Sequence, residues 1–170
     1  MKVGVEMTTK SVAHCGMLTA LAMIFGYVEA LIPFGFGIPG VKLGLPNIIT
    51  VFALYTLPVY QVFAIQVMRI VLVSFLFGSL SMMLYSLAGG LLSLVLMVLL
   101  KKKKWLSIAG VSIAGGVSHN IGQLAVAVLV VQNLKIAFYL PALLASGLVT
   151  GGLIGMLVHK VKPLLERSKF

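Results

Sequence analysis

Apolar residues run through this chain in long blocks separated by short polar breaks. The blocks are Val12–Ile32, Asn47–Leu57, Val59–Phe77, Ser81–Leu100, Trp105–Val131 and Ile136–Val158. Most approach or exceed the ~20 residues that a helix needs to cross ~30 Å of hydrocarbon. The second block is short, and Pro58 divides it from the third. The basic residues decide whether it counts, because Lys and Arg collect on cytoplasmic loops. Six spans with the N-terminus inside place Lys2, Lys10, Lys101–Lys104, Lys160, Lys162, Arg167 and Lys169 on the inside. Only Lys42 and Lys135 then lie outside, with Arg69 inside a span. Five spans would invert that bias. The pattern therefore predicts an all-α integral membrane protein: one transmembrane domain over 1–170, six helices and both termini cytoplasmic. The spans are about 12–32, 43–57, 59–77, 81–100, 105–131 and 136–158, with the second partly irregular at its start. The first is longer than the ~7–15 residues of a signal-peptide core and lacks a small-x-small cleavage site, so it is expected to be retained.

Composition agrees. The 170 residues are 61% hydrophobic and 9% charged, against about 25% charged in soluble domains. Glu6, Glu29 and Glu166 are the only acidic residues, and aspartate is absent. The net charge of +10 sits at membrane edges, where it orients helices and meets anionic lipid headgroups; a nucleic-acid partner is not expected. Cys15 is the single cysteine and cannot form an internal disulfide. No His or Cys pair has ligand spacing, so no metal site is expected.

Small residues let helices approach in lipid. Gly147, Gly151 and Gly155 form a groove on the sixth helix, and Gly110, Ala114, Ser118 and Gly122 form one on the fifth. Ala13, Gly16 and Ala20 make a stripe on the first helix near one membrane face, the best candidate for docking another subunit.

Polar residues within spans usually face a cavity or a partner. Glu29 closes the first helix, opposite its small stripe, and Gln66 and Arg69 share a face of the third. Ser86, Gly89, Gly90 and Ser93 form a milder stripe on the fourth. Ser112, Gly116, His119 and Gln123 fall within about a 60° sector of the fifth, with Asn120 at its border. These residues predict either a satisfied internal network or a ligand cavity, and the cavity is favoured. His14 and His159 lie at cytoplasmic edges and are read as interfacial.

The loop from Pro33 to Pro46 contains Gly35-x-Gly37-x-x-Gly40, the spacing of a dinucleotide site. That motif needs a preceding strand and an acidic residue about 20 positions later. A membrane helix precedes it instead, and no acidic residue follows until Glu166. No P-loop exists. The glycines and three prolines suit a lid over an outward-facing cavity, with Lys42 and Asn47 at the entrance to the second helix.

The stretches "GYVEALIPF", "PGVKLGLPNI", "RIVLVSFLFGS", "YSLAGGLLSLVLM", "SIAGGVSHNIGQLAVA" and "YLPALLASGLVTGGLIG" resemble the Gx transporter family, often described as heptaprenyl diphosphate synthase component I. The resemblance runs from about Val12 to Val158. The family is similar to the substrate-binding S components of energy-coupling-factor vitamin transporters. It implies an S-component-like bundle in a bacterial cell membrane and an outward site capped by the first loop. It also implies a first-helix surface for a transmembrane coupling subunit with ATPases. Family motif positions fall on Glu29, Lys42, Asn47, Arg69, Ser86, Ser93, His119, Asn120 and Gln123.

Prenyl diphosphate synthases of the usual type resemble one another in aspartate-rich motifs that hold Mg²⁺. Without aspartate, this chain is not expected to be an enzyme on its own or to need a cofactor. The expected function is uptake of a small molecule, anionic or isoprenoid- or vitamin-like. The alternative is a non-catalytic membrane partner in isoprenoid or quinone metabolism, or in a quinone-linked electron-transfer assembly.

Overall fold

The computed structural model describes residues 9–31 and 44–167. Six α-helices and one 3₁₀ turn follow in order: α1 (Thr9–Leu31), α2 (Leu45–Thr56), α3 (Val59–Phe77), α4 (Leu80–Lys103), α5 (Ile108–Val131), the turn Leu134–Tyr139 and α6 (Leu140–Arg167). Five of the helical segments are long and apolar enough to cross a membrane. The surface carries large apolar side chains throughout, with Phe75 87% and Phe138 85% exposed, as suits a bundle solvated by lipid. Proline and capping residues punctuate the helices as the sequence leads one to expect. Pro58 precedes α3, while the hydroxyls of Ser79 and Ser107 accept from the amides of Met82 and Gly110 at the starts of α4 and α5.

Several boundaries differ from the sequence expectation; α6, for one, continues to Arg167 rather than ending near Val158. α4 continues through Lys103, so most of the lysine run is helical rather than loop. Cations at a helix C-terminus are favoured by its exposed carbonyls. The sixth apolar block opens with the 3₁₀ turn, in which the Asn133 side chain accepts from the Lys135 amide.

α2 has 12 residues, about 18 Å of helix, which is short of a membrane crossing. Gly44 caps α2 with φ +71°, and a Cβ there would come within 3.7 Å of Ile154 Cδ1, so the start of α2 packs beside the middle of α6. At the opposite end, Gln61 Nε2 donates to Ser11 Oγ, and Lys101 Nζ donates to the Leu54 carbonyl at the end of α2. The starts of α1 and α3 and the ends of α2 and α4 thus meet at one lysine-rich end.

The bundle has two halves. In the first, α1 lies on α2 and α3; in the second, α5 lies between α4 and α6. Glycine sets the approach in the second half. A Cβ at Gly116 would come within 2.5 Å of the Gly147 carbonyl oxygen, one at Gly151 within 2.8 Å of Ile113 Cα, and one at Gly155 within 2.5 Å of Ala109 Cα. The expected α6 groove is thus the α5 contact. On α5 the outcome is different from the expected stripe. Gly116 and Ser112, placed by sequence in the polar sector, face α6. Gly115 and Gly122 instead face α4, against Met97 and Gly89. α5 is packed on both sides, so small residues occur on more than one face.

Replacing Gly151 by Leu should force α5 and α6 apart and lower stability by about 1–3 kcal/mol. Gly152→Ala is the control, since its Cβ would meet only Ile113 side-chain atoms at 3.8 Å. Thermal unfolding in detergent should separate the two variants; equal midpoints would show that this crossing is not tightly packed.

Candidate functional site

Away from the lysine-rich end, the two halves enclose a polar cavity of about 120 Å³. Every helix contributes a polar lining residue: Glu29 from α1, Asn47 from α2, Arg69 from α3, Ser86 from α4, His119, Asn120 and Gln123 from α5, and Thr150 from α6. Ile70, Val73, Phe77 and Met82 form an apolar wall. Phe77 also stacks at a tilt on Tyr27, with ring centroids 4.9 Å apart.

The positively charged group is held firmly. Arg69 is buried, and its Nε donates to Gln66 Oε1 at 3.0 Å while Nη2 donates to Asn47 Oδ1 at 2.9 Å. Thr50 Oγ1 donates to the same Gln66 oxygen at 2.7 Å. A guanidinium presents its donors in a rigid fork, so these bonds fix its plane. Gly90 makes the arrangement possible, because a Cβ there would come within 2.6 Å of Gln66 Nε2. Glu29 lies near enough to act electrostatically on Arg69.

Glu29 has a second task. Its Oε1 accepts from the backbone N–H of Gly44 at 2.5 Å. The first amides of a helix lack intrahelical partners, and in lipid an unmet amide is costly. The carboxylate meets that need and suits the positive end of the α2 dipole. It therefore ties α1 to the point where the chain enters α2.

On the far side, Asn120 Nδ2 donates to the Leu143 carbonyl at 2.6 Å, holding α5 to α6 beside the Gly116–Gly147 crossing. His119 stands against α4, where a Cβ on Gly89 would lie 3.2 Å from its Nδ1.

Of the residues expected at a site, Glu29, Asn47, Arg69, Ser86, His119, Asn120 and Gln123 line one cavity. Gln66 lies behind Arg69 and orients it. Ser93 is buried but stands apart, near Gly115 and Met97, and does not line the cavity. Ser93 shares the Ser86 face of α4, but two turns of helix carry it deeper into the bundle. Lys42 and the Gly35-x-Gly37-x-x-Gly40 stretch lie outside the described residues. Ala13, Gly16 and Ala20 are exposed, and a Cβ on Gly16 would meet nothing within 4 Å. That stripe is therefore not used for packing among the described residues.

Sequence reasoning missed Thr50 and Thr150, and it read Gly44 only as one of the loop's turn-permitting glycines. Thr50 follows Asn47 by three residues, so helical spacing could have joined it to the same face. Thr150 sits within the glycine-rich part of α6, where packing dominated the pattern. Nothing local marks Gly44 apart from the other loop glycines.

A family model described as heptaprenyl diphosphate synthase component I matches residues 18–161. No curated protein and no solved structure matches the chain. With most of its length covered, including every residue of the cavity, the chain belongs to that family.

The Gln66 oxygen carries two donors, which gives a direct test of the site's scaffold. Gln66→Leu should leave Thr50 and the Arg69 Nε without that acceptor and cost about 1–3 kcal/mol. Gln66→Glu keeps an acceptor and should melt at or above the wild-type temperature. Equal loss in both variants would mean that size, not acceptance, matters at this position.

Proposed function

We propose that this member of the heptaprenyl diphosphate synthase component I family is the substrate-binding subunit of a membrane transport system, built like an energy-coupling-factor S component. One observation carries the reading: all six helices send a polar side chain into a single cavity, far from the lysine-rich end. Structural hydrogen bonding alone does not call for such convergence around a space left open.

The cavity's size and chemistry narrow the ligand. An apolar cavity of about 150 Å³ accommodates one benzene ring, so about 120 Å³ suits a ring-sized molecule. Arg69 and the N-terminus of α2 favour an anionic group. The side chains of His119, Asn120 and Gln123 supply hydrogen bonds, and Phe77 and Val73 an apolar face. Glu29 holds the entry of the chain into α2, so the 33–46 loop is tied to the site it would cap. A long isoprenoid chain does not fit this space.

Transport also needs an energy source, which this chain lacks in the form of a P-loop. The exposed Ala13/Gly16/Ala20 stripe supplies a smooth surface for a transmembrane coupling subunit with its ATPases. The fit with a plasma-membrane subunit whose ends are cytoplasmic comes from the lysine-rich end, which follows the bias of Lys and Arg toward the cytoplasm.

A second reading rests on the family's description as one component of a synthase. The chain would then be a non-catalytic membrane partner for a separate enzyme in isoprenoid or quinone metabolism, or in a quinone-linked electron-transfer assembly. Non-catalytic is the fitting word, because diphosphate chemistry through Mg²⁺ relies on clustered carboxylates and, among the described residues, Glu29 is the cavity's only acidic group.

Native mass spectrometry of the protein purified from its own membrane should find one small bound molecule. Arg69→Met and His119→Ala should each lose at least about tenfold in retention while remaining monodisperse, a change of about 1.4 kcal/mol. Undiminished retention in both variants would remove the site assignment. Co-purification of a coupling subunit and ATPase favours the transport reading, and of a prenyltransferase the other.

A further inference from the structure

A second, larger space lies between α1 and α6. It is a groove of about 700 Å³, floored by α2, whose walls include Met17, Leu21, Phe25, Phe52 and Leu157. Along α1 it runs from Lys10 to Phe25, about 22 Å of helix. That is about half as long again as one leaflet's ~15 Å share of a ~30 Å hydrocarbon core.

The groove is polar at one end only. Lys10, His14 and Lys162 line it where α1 begins and α6 approaches its end. Ser11 and Gln61, joined by a hydrogen bond, lie in the same region. The remaining lining is almost wholly apolar, and among the described residues no acidic one belongs to it. This is the lysine-rich end of the bundle, with Lys101 close enough to Lys162 for the two charges to interact.

We propose that this groove holds a membrane phospholipid with an anionic headgroup. One acyl chain lies along α1 and α6, and the phosphate sits at Lys10, His14 and Lys162. Three observations meet here. The groove has the chemistry of an amphiphile, with an apolar length and a cationic end. Its cationic end lies at the lysine-rich face of the bundle, and the leaflet at such a face is the one in which anionic lipids are drawn to basic residues. Its volume of about 700 Å³, several times the roughly 120 Å³ of the polar cavity, leaves room for an acyl chain. The second acyl chain stays in the bilayer.

The site is distinct from the polar cavity. Its charged end lies at the other end of the bundle, it shares no lining residue with that cavity, and it does not depend on the transport reading. A lipid there would act as a wedge that keeps α1, with its exposed small-residue stripe, apart from α6.

The test uses the delipidated full chain in detergent, titrated with phosphatidylglycerol or phosphatidylcholine of identical acyl chains and followed by native mass spectrometry. One phosphatidylglycerol should bind with clear preference. Lys10→Gln and Lys162→Gln should each weaken it about fivefold, the equivalent of ~1 kcal/mol per basic residue near the surface, with phosphatidylcholine little changed. Leu157→Trp should block both lipids by filling the groove. Because that variant carries the risk of misfolding, the two charge variants are read independently of it. Equal binding of the two lipids, or unchanged preference in the double variant Lys10→Gln/Lys162→Gln, overturns the proposal. Displacement of phosphatidylglycerol by equimolar farnesyl diphosphate would also overturn it and assign the groove to a prenyl chain. Occupation by a helix of a co-purified membrane protein, seen as loss of the lipid in that complex, would assign it to a protein partner instead.

Discussion

Backbone contact between helices is the constraint on which this bundle depends. Lipid offers apolar side chains an environment as favourable as a neighbouring helix, so burial alone cannot hold helices together. Close packing must do it, and close packing requires the absence of side chains. Gly116 against Gly147, Gly151 against Ile113 and Gly155 against Ala109 bring α5 and α6 to backbone distance. Gly89 and Gly122 do the same for α4 and α5. These crossings unite α4, α5 and α6 into one rigid half.

The other half is joined by different means. α1, α2 and α3 contribute Glu29, Asn47, Thr50, Gln66 and Arg69, linked through short hydrogen bonds. One glycine connects the two strategies: Gly90 of α4 leaves room for Gln66 of α3. Without that room the Gln66 amide would move, and Arg69 would lose its orientation. The glycine half thus sets the wall against which the polar half is positioned. The cavity is the space left where the two meet, which is why its lining draws on all six helices.

The sequence made the helices legible because their signals are long and redundant. Runs of apolar residues, Pro58 and the lysine run each mark a boundary independently. The cavity was legible in part for a related reason: polar residues are rare in lipid, so Glu29, Arg69 and His119 stand out individually. Gly44 and Thr150 do not stand out, since their importance comes from neighbours brought together only by folding. One residue of the polar face of α5, Ser112, was misassigned for the same reason: it packs on α6, while Gly116, His119 and Gln123 line the cavity. Hydrophobic periodicity separates lipid from protein, but it cannot say which of two protein neighbours a small residue meets. Ser93 shows the converse limit, because its spacing from Ser86 keeps the face and loses the depth.

The two spaces in the bundle also explain why the family's description and the chemistry of the polar site pull in different directions. A prenyl chain and a small polar anion place opposite demands on a protein, one for length and apolar walls, the other for donors and a charge. No single cavity here meets both. The polar cavity has the donors and Arg69 but only ring-sized volume; the groove has the length and apolar lining but keeps its charges at one end. Setting the charged end of the groove away from the polar cavity separates the demands, and α2 borders both. Its first residues sit beside Glu29 and Arg69, a face running from Ile48 to Leu57 floors the groove, and its end receives Lys101 through the Leu54 carbonyl.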